Sequence, residues 1–480
     1  MTPLLLLPLA GVLGLILLPA RFTRLAWYWS MIVGFAGLLF ALKLSMGPVP
    51  VTEIHQWIPA IGAQLLLKLD GISLLFVVLT ALMSFLGLAA SPNRPHTFYA
   101  MLLLLEAGCH GVFLSQDLLL FFICFEAVLI PMYFLIGIWG GTDRGPAALK
   151  FILYTVVGSI CLLIGFLTFY LQHASVTGIY TFDLEQLLKT RLPLTTERIV
   201  FWALFLGFAI KVPMFPFHTW LPDAHTEAPT AGSVMLAAVM LKMGTYGFLR
   251  FSLPLLPSAS IDAKIVSTLA VLSLIAILYG AMISLAQQDW KRLIAYSSVS
   301  HLGFCTLGIF TLNATGISGS IIQQINHGIS TGLLFLIVGF AYDRRHEKAI
   351  SAYGGLASGM PGFGSVFMVA ALSSIGLPLL NGFIGEFTIL RGAYLAQPWW
   401  AAVAVIGIIL SAAYMLNLYQ RTMLGPVTHE ENRDLPDLSV REWLISAPLI
   451  AWAIWIGVSP SGYFHLIAAP VEQIMERLRP

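Results

Sequence analysis

Charged side chains are scarce in this sequence of 480 residues: Asp, Glu, Lys and Arg make up 10% of it, whereas soluble domains carry about 25%. The formal net charge is +2, which is too small to predict binding to nucleic acid. Hydrophobic residues make up 58%, and long apolar runs recur from one end to the other. These runs predict an all-α polytopic membrane protein, because the alternating segments of a membrane β-barrel are not visible.

Cysteine is also scarce, and the positions of the four thiols argue against a bound cofactor. All four lie in apolar segments and no two form C-x-x-C, whereas zinc and iron–sulfur clusters need clustered thiolates. Neither a dinucleotide-binding nor a phosphate-binding glycine loop is visible. We therefore expect no cofactor and no metal in this chain. Two minor alternatives stay open: a haem on His301 and His327, which could equally be core histidines, and a metal at His218 and His225.

Hydropathy predicts about fourteen spans and no cleavable signal peptide. A polar stretch at 47–71 is predicted to be an extracytoplasmic loop. Basic residues are slightly more frequent in the odd-numbered connections, which predicts that both termini are extracytoplasmic. The predicted regions are spans one to three (1–96), spans four to eight (97–252), spans nine to thirteen (262–424), and a last span with a surface tail (441–480).

Two sequence features, an Asp-containing string and a proline within a span, each occur twice at a similar separation. SQDLLLFF and QQDWKRLIAY place Asp117 and Asp289 172 residues apart, and Pro213 precedes Pro378 by 165. The aspartates are most simply helix N-terminal residues favoured by the dipole. The offsets predict two copies of five spans each. An odd number of spans would invert one copy relative to the other, and inverted repeats with broken helices are typical of transporters.

Seven ionisable residues fall at membrane depth, where a charge costs at least ~2.5 kcal/mol. Lys211 is followed by Pro213 and Pro216, which predicts a broken helix beside it. Carboxylates, lysines and histidines exchange protons once burial moves their pKa towards neutrality. The candidate site residues are Glu106, Glu126, Lys211, Lys242, His301, His327 and Glu386.

Each of these residues also has a structural explanation. Lys211 and Lys242 could form static pairs with carboxylates. Glu126 lies five residues before Pro131 and could bond freed backbone. Glu106 could reach the membrane surface from a span end, and Glu386 could be a water-facing helix-end residue.

Several long strings resemble the antiporter-like membrane subunits of proton-pumping NADH:quinone oxidoreductase, respiratory complex I, and in particular the chain M type, called chain 4 in mitochondria. The wider family includes chains L and N and the Mrp-type cation/proton antiporters. The strings are FEAVLIPMYFLIGIWGG, FAIKVPMFPFHTWLPDAHTEAPTAGSVMLAAVMLKMGTYG, KRLIAYSSVSHLGF, INHGISTGLLFLIVGFAYDRRH and SSIGLPLLNGFIGEF.

The resemblance implies fourteen transmembrane helices, with two inverted five-helix repeats and breaks in helices seven and twelve. It implies that FMN, iron–sulfur clusters and quinone belong to partner subunits, and that this chain does no redox chemistry itself. The implied partners are chains L and N, small complex I subunits and membrane lipids. The implied location is an energy-conserving membrane. The bacterial plasma (inner) membrane is favoured, and a thylakoid membrane is the alternative.

The resemblance also implies roles for the candidate residues. Glu126 corresponds to a glutamate that pairs with the lysine at Lys211, and Lys242 to a central lysine. Glu386 corresponds to a glutamate that stands in chain M where chain L has lysine. The remaining matches are His301 and His327, along a polar axis, and Glu106, a further carboxylate.

The sequence therefore favours a proton-translocating subunit that couples quinone reduction to proton pumping. The alternatives are an Mrp-type Na⁺/H⁺ antiporter subunit and a structural membrane subunit that does not pump. The electron donor stays open between NADH, ferredoxin and F420.

Overall fold

The computed structural model describes residues 1–19 and 21–479 and is built almost entirely of helices. The first group is α1 (Thr2–Leu17), α2 (Thr23–Ser45), α3 (Gly71–Ala89), α4 (His96–Leu114), α5 (Leu118–Ala127), α6 (Leu129–Trp139), α7 (Arg144–Thr177) and α8 (Leu184–Leu187). The middle group is α9 (Leu194–Lys211), α10 (Trp220–Glu227), α11 (Thr230–Met235), α12 (Lys242–Gly247), α13 (Leu253–Leu255), α14 (Pro257–Ser260), α15 (Ala263–Ala286), α16 (Trp290–Phe310) and α17 (Ala314–Arg345). The last group is α18 (Leu356–Gly359), α19 (Pro361–Ser374), α20 (Asn381–Ala396), α21 (Pro398–Met423), α22 (Val440–Val458) and α23 (Ser461–Leu478).

The helices confirm the all-α polytopic class. Within the described residues, 11 helices are long and apolar enough to cross a membrane, and α1 and α19 are shorter apolar helices. The predicted total of fourteen spans stays a prediction. Span five is interrupted between α5 and α6 at Val128, just before Pro131, because proline cannot donate the next helical hydrogen bond.

The stretch predicted as an extracytoplasmic loop at 47–71 contains regular structure. Strands β1 (Val51–Ile58) and β2 (Ala63–Leu69) pair antiparallel, from Val51 opposite Leu69 to Ile58 opposite Ala63. Gly62 ends the turn with a φ of 69°, which glycine adopts without strain. The sequence did not show this hairpin because its apolar residues do not alternate cleanly.

The chain divides into two compact units. Unit 1 comprises Met1–Val212, Val239–Thr268 and Leu466–Pro480, and unit 2 comprises Pro213–Ala238 and Leu269–His465. In unit 1, α7 and α9 approach closely at paired glycines: a Cβ on Gly207 would lie 2.9 Å from the Gly158 carbonyl oxygen. Small residues at such crossings are typical of membrane helices. In unit 2, α16 and α17 are the most deeply buried long helices, and 94% of the most apolar stretch of each is buried.

Two helices are broken where the sequence predicts it. The helix that α9 begins stops at Lys211 and resumes as α10 at Trp220, and α19 stops at Ser374 before α20 starts at Asn381. Prolines in both gaps remove helix donors. In the second gap Gly376 takes a left-handed φ of 76°.

A matching local pattern begins α5 and α16. Asp117 caps α5, and its neighbours exchange two backbone hydrogen bonds of 2.9 Å with the neighbours of Asp183. Asp289 caps α16, and its neighbours exchange bonds of 2.9 and 2.8 Å with those of Ala349. Burial raises the pKa of both capping carboxyls, although amide donors lower it in part. The predicted helix-start role of both aspartates is confirmed.

Candidate functional site

Lys211 is the last residue of α9 and is 2% exposed. Its ammonium lies 4.7 Å from the centre of the Phe125 ring. Its Nζ finds no hydrogen-bond partner among residues 1–19 and 21–479. The broken helix thus leaves a buried lysine with little to hold its charge.

Glu126 lies on α5 and is half-buried. It attracts Lys211 electrostatically, but in the described part of the chain the two form no direct ion pair. Its Oε1 has no hydrogen-bond partner there either, and its carboxylate bonds the Ser159 side chain. Among the described residues, no hydrogen bond joins it to backbone freed by Pro131. The charge pairing implied by the resemblance is therefore loose in this structure.

Glu106 lies midway along α4 and is 0% exposed. The suggestion that it reaches the membrane surface is therefore wrong. Ser84 Oγ donates to its Oε2 at 2.7 Å, and His110 Nε2 lies 3.7 Å from its Oε1. His110 was not among the residues predicted from the sequence, although its position four residues after Glu106 places both on one helix face.

Lys242 begins α12 and is fully buried. π-helical turns precede and follow this short helix, at Leu236–Met240 and Phe248–Ser252. Such turns are rare and are frequent at functional sites. The two π-helical turns shift the angular positions of the side chains before and after Lys242 from those of a continuous α-helix.

A buried ion pair that the sequence did not reveal lies further along the same span. Arg250 Nη2 is 2.6 Å from Asp70 Oδ2, and Arg250 Nε donates to Tyr246 Oη at 3.1 Å. Tyr246 in turn donates to the Phe113 carbonyl. Burial opposes ionisation of Asp70, but the Arg250 charge and the Ser73 amide outweigh it and hold the pKa of Asp70 below its ordinary value.

In unit 2, a buried carboxylate, an imidazole and a phenol form a chain. Glu386 Oε1 lies 3.0 Å from His301 Nδ1, and Tyr414 Oη lies 3.1 Å from His301 Nε2. Gln323 Nε2 donates to the same Glu386 oxygen at 3.1 Å. Glu386 is 2% exposed, so the water-facing alternative is wrong for this structure.

The break between α19 and α20 shapes the surroundings of Glu386. A Cβ on Gly376 would lie 2.9 Å from Glu386 Oε2. The left-handed backbone at this glycine therefore brings the broken segment against the carboxylate, and an added Cβ would force the carboxylate to shift.

His327 lies close to His301, with ring centres 5.7 Å apart. Both line a cavity of about 10 Å³, together with Asn326, Ser330 and Ser373. Asn326 Oδ1 has no hydrogen-bond partner among the described residues. The volume and polar lining suit a single water. Because both nitrogens of His301 already have partners, the haem alternative is not supported.

The other two histidines considered as metal ligands pack against aromatic rings. His225 stacks on Phe335 with ring centres 4.6 Å apart, and His218 lies edge-on to Tyr279. In the described part of the chain, no group of three or more His, Cys, Asp or Glu side chains could hold a metal ion.

Lys291 lies in the first turn of α16 and is only 4% exposed. Its Nζ donates to the Ala228 carbonyl at 2.8 Å, and Lys348 Nζ donates to the Thr226 carbonyl at 2.9 Å. Both lysines thus satisfy carbonyls at the end of α10, where positive charge is favourable.

The predicted site residues fall into two sets. Unit 1 contains Glu106, Glu126, Lys211 and Lys242, and unit 2 contains His301, His327 and Glu386. The structure brings His301, His327 and Glu386 together around one small cavity.

Comparison with known proteins decides the family. The family model described as NADH:quinone oxidoreductase/Mrp antiporter, TM, matches residues 115–411. A protein of Rickettsia typhi named NADH-quinone oxidoreductase subunit M is 45% identical over 88% of this chain and 85% of its own length. The chain belongs to the NADH:quinone oxidoreductase/Mrp antiporter family. The resemblance predicted from the sequence is thereby confirmed, and the chain is an integral membrane protein.

Solved structures agree with this family. A chain of respiratory complex I from Thermus thermophilus superposes with a TM-score of 0.91 at 33% identity, covering 100% of this chain and 99% of that one. A chain of the Mrp complex from Dietzia has a TM-score of 0.82 at 25% identity, but this chain spans only 52% of it. The family fold thus extends over the whole of this chain.

Proposed function

We propose that this chain is the M-type, proton-translocating membrane subunit of a NADH-quinone oxidoreductase. The near-complete match in length to the complex I chain and the name of the Rickettsia relative support this assignment. The observation that carries the pumping role is Lys211, a buried ammonium without a hydrogen-bond partner in the described residues, at a helix break.

In the proposed mechanism, Lys211 takes a proton from the cytoplasmic side while Glu126 attracts its charge. The absence of a direct ion pair makes this attraction adjustable. A change of charge near Glu126, supplied by a partner subunit, weakens the attraction and lets Lys211 release its proton. Water carries the proton to Lys242, which is the next station.

The second half of the proposed route uses the residues of unit 2. One water in the cavity between His327 and His301 joins the two rings, whose centres are 5.7 Å apart. His301 then exchanges a proton directly with Glu386 across 3.0 Å. Glu386 passes it to the outside or to a neighbouring subunit. Glu106 with His110 is a further proton-exchanging pair.

The finer organisation is part of the same proposal. Residues 97–252 and 262–424 are the two inverted repeats, 1–96 precede them and 441–480 follow them. The matching starts of α5 and α16 support this division. The partners are chains L and N and small subunits, with FMN, iron–sulfur clusters and quinone in other subunits. The membrane is a bacterial inner membrane, with both termini extracytoplasmic.

The Mrp-type Na⁺/H⁺ antiporter is the second candidate, supported by the fold shared with the Dietzia chain. The higher identity to the complex I chain, 33% against 25% for the Dietzia chain, favours the first assignment. A structural, non-pumping subunit is a third possibility. That role would not explain why Lys211 is buried without a hydrogen-bond partner in the described residues.

The assignment is tested by purifying the tagged chain from its native membrane. We expect it to bring down the NADH- and flavin-binding subunits of complex I, and vesicles containing the complex to acidify without sodium. Co-purification of Mrp subunits, together with a pH gradient that requires sodium, would contradict the assignment.

A further inference from the structure

Tyr414 is a buried tyrosine on α21, outside every motif that marked the site in the sequence. It is 1% exposed, and its hydroxyl lies 3.1 Å from His301 Nε2 and 3.2 Å from Ser411 Oγ. A buried phenol needs a hydrogen-bond partner, and the shorter of these two contacts is to the histidine that contacts Glu386.

Hydrogen-bond chemistry fixes the roles around the neutral imidazole. When Glu386 is ionised, its oxygens only accept hydrogen bonds, and His301 Nδ1 then donates to Glu386 Oε1 across 3.0 Å. The other nitrogen, Nε2, is then an acceptor, and the Tyr414 hydroxyl donates to it. This arrangement keeps the hydrogen of the neutral ring on the side that faces Glu386.

The same hydroxyl also suits the protonated ring. When His301 carries a second proton, both nitrogens donate, so Nε2 donates to the Tyr414 oxygen. The Tyr414 hydroxyl hydrogen then turns to Ser411 Oγ, which accepts it. One rotating hydroxyl therefore serves both charge states, and no other heavy atom has to move.

We propose that Tyr414 is a positioning residue that keeps His301 Nδ1 directed at Glu386 in both protonation states of the ring. This inference rests on the proposed function, in which His301 exchanges protons with Glu386. Ser374 Oγ is a second partner of Nε2, at 3.4 Å. That distance is long for a hydrogen bond, so Ser374 replaces Tyr414 only in part.

The test compares Tyr414→Phe with Tyr419→Phe in the assembled complex reconstituted in vesicles. Tyr419 lies on the same helix and is 7% exposed, and its hydroxyl donates to the Gly364 carbonyl at 3.2 Å, away from His301. We expect Tyr414→Phe to lower the protons moved per quinone reduced and to change the pH profile of pumping. Tyr419→Phe should leave both unchanged.

A double variant with Glu386→Gln separates positioning from general packing. If Tyr414 acts through His301 and Glu386, adding Tyr414→Phe to Glu386→Gln causes little further loss, because residues of one network are not additive. Fully additive losses, or failure of Tyr414→Phe to assemble, would assign Tyr414 a structural role and overturn the inference.

The two proposals fail in different ways. Wild-type pumping in Tyr414→Phe, with reduced pumping in Glu386→Gln, overturns only the role of Tyr414. Wild-type pumping in both Glu386→Gln and Tyr414→Phe overturns the proposed proton route itself.

Discussion

The buried charges of unit 1 differ in how completely their surroundings satisfy them. Arg250 has Asp70 at 2.6 Å and Tyr246 at 3.1 Å. Lys211 has the face of Phe125 and the looser attraction of Glu126, and its Nζ has no hydrogen-bond partner among the described residues. A well-paired charge resists losing its partner, whereas a weakly held one changes its protonation at lower cost. The first arrangement suits a structural link and the second a working station for protons.

Replacing Asp70 by Asn tests the structural role of the ion pair. Asn still caps α3, but Arg250 is left buried without its counter-charge, which costs roughly 3–5 kcal/mol of stability. We expect a lower temperature of thermal unfolding for the purified complex. The matched control is Asp262→Asn, because Asp262 pairs with Arg198, which is 50% exposed, and it should change stability little.

The pH dependence of this effect follows from the lowered pKa of Asp70. A carboxyl whose pKa is lowered by folding stabilises the folded protein fully at pH values above its unfolded pKa, which is 3.8 for Asp. This stabilisation is lost as the pH falls through the lower pKa of the folded state. The stability difference between wild type and Asp70→Asn should therefore stay constant from about pH 8 to about pH 5. A difference that shrinks within this interval would contradict the assignment.

Single residues could be predicted from the sequence where their type is unusual for their place. Lys242 and Glu386 stand out in apolar runs, and the structure buries both. Tyr414 does not stand out, since an aromatic residue in an apolar helix is ordinary. The pair of Asp70 and Arg250 was missed because periodicity relates only residues on one element, and these two lie 180 positions apart.

At the scale of elements, the broken helices are the features that place the site. Proline makes a break readable in the sequence, because its effect on the helix is local. The π-helical turns around Lys242 and the β1–β2 hairpin were not predicted. Their causes are the packing of distant elements and cross-strand pairing, for which this sequence carries no turn or alternation signal.

The second break is tested by Gly376→Ala, with Gly425→Ala as its matched control. Both glycines have a left-handed φ, 76° and 86°, so alanine costs each of them about 1–2 kcal/mol. Only at Gly376 would the new Cβ press on Glu386, since Gly425 has no atom within 4 Å of that position. Gly376→Ala should lower the protons moved per quinone reduced.

Comparison with the control variant shows which result would contradict this prediction. Gly425→Ala should lose a similar amount of stability and pump normally. Equal pumping by the two variants would mean that the contact between the break and Glu386 has no part in proton transfer.

At the scale of the whole molecule, the fold class and the family were predictable because long hydropathic runs and long matching strings carry them. Two offsets in the sequence predict a repeat, and the similar backbone hydrogen bonding beside Asp117 and Asp289 is consistent with that prediction. The division into two compact units was not predicted, since Leu466–Pro480 belongs to unit 1 although it ends the chain. Sequence order alone does not show such long-range packing.

We propose above all that Lys211, a weakly satisfied lysine at a helix break, is a station for protons. The most direct test is to reconstitute the complex with Lys211→Ala and to measure the number of protons moved per quinone reduced. The control is Lys43→Ala, because Lys43 is exposed. We expect a lower number for Lys211→Ala, normal assembly of both variants, and an unchanged number for the control. An unchanged number for Lys211→Ala in a normally assembled complex would contradict it.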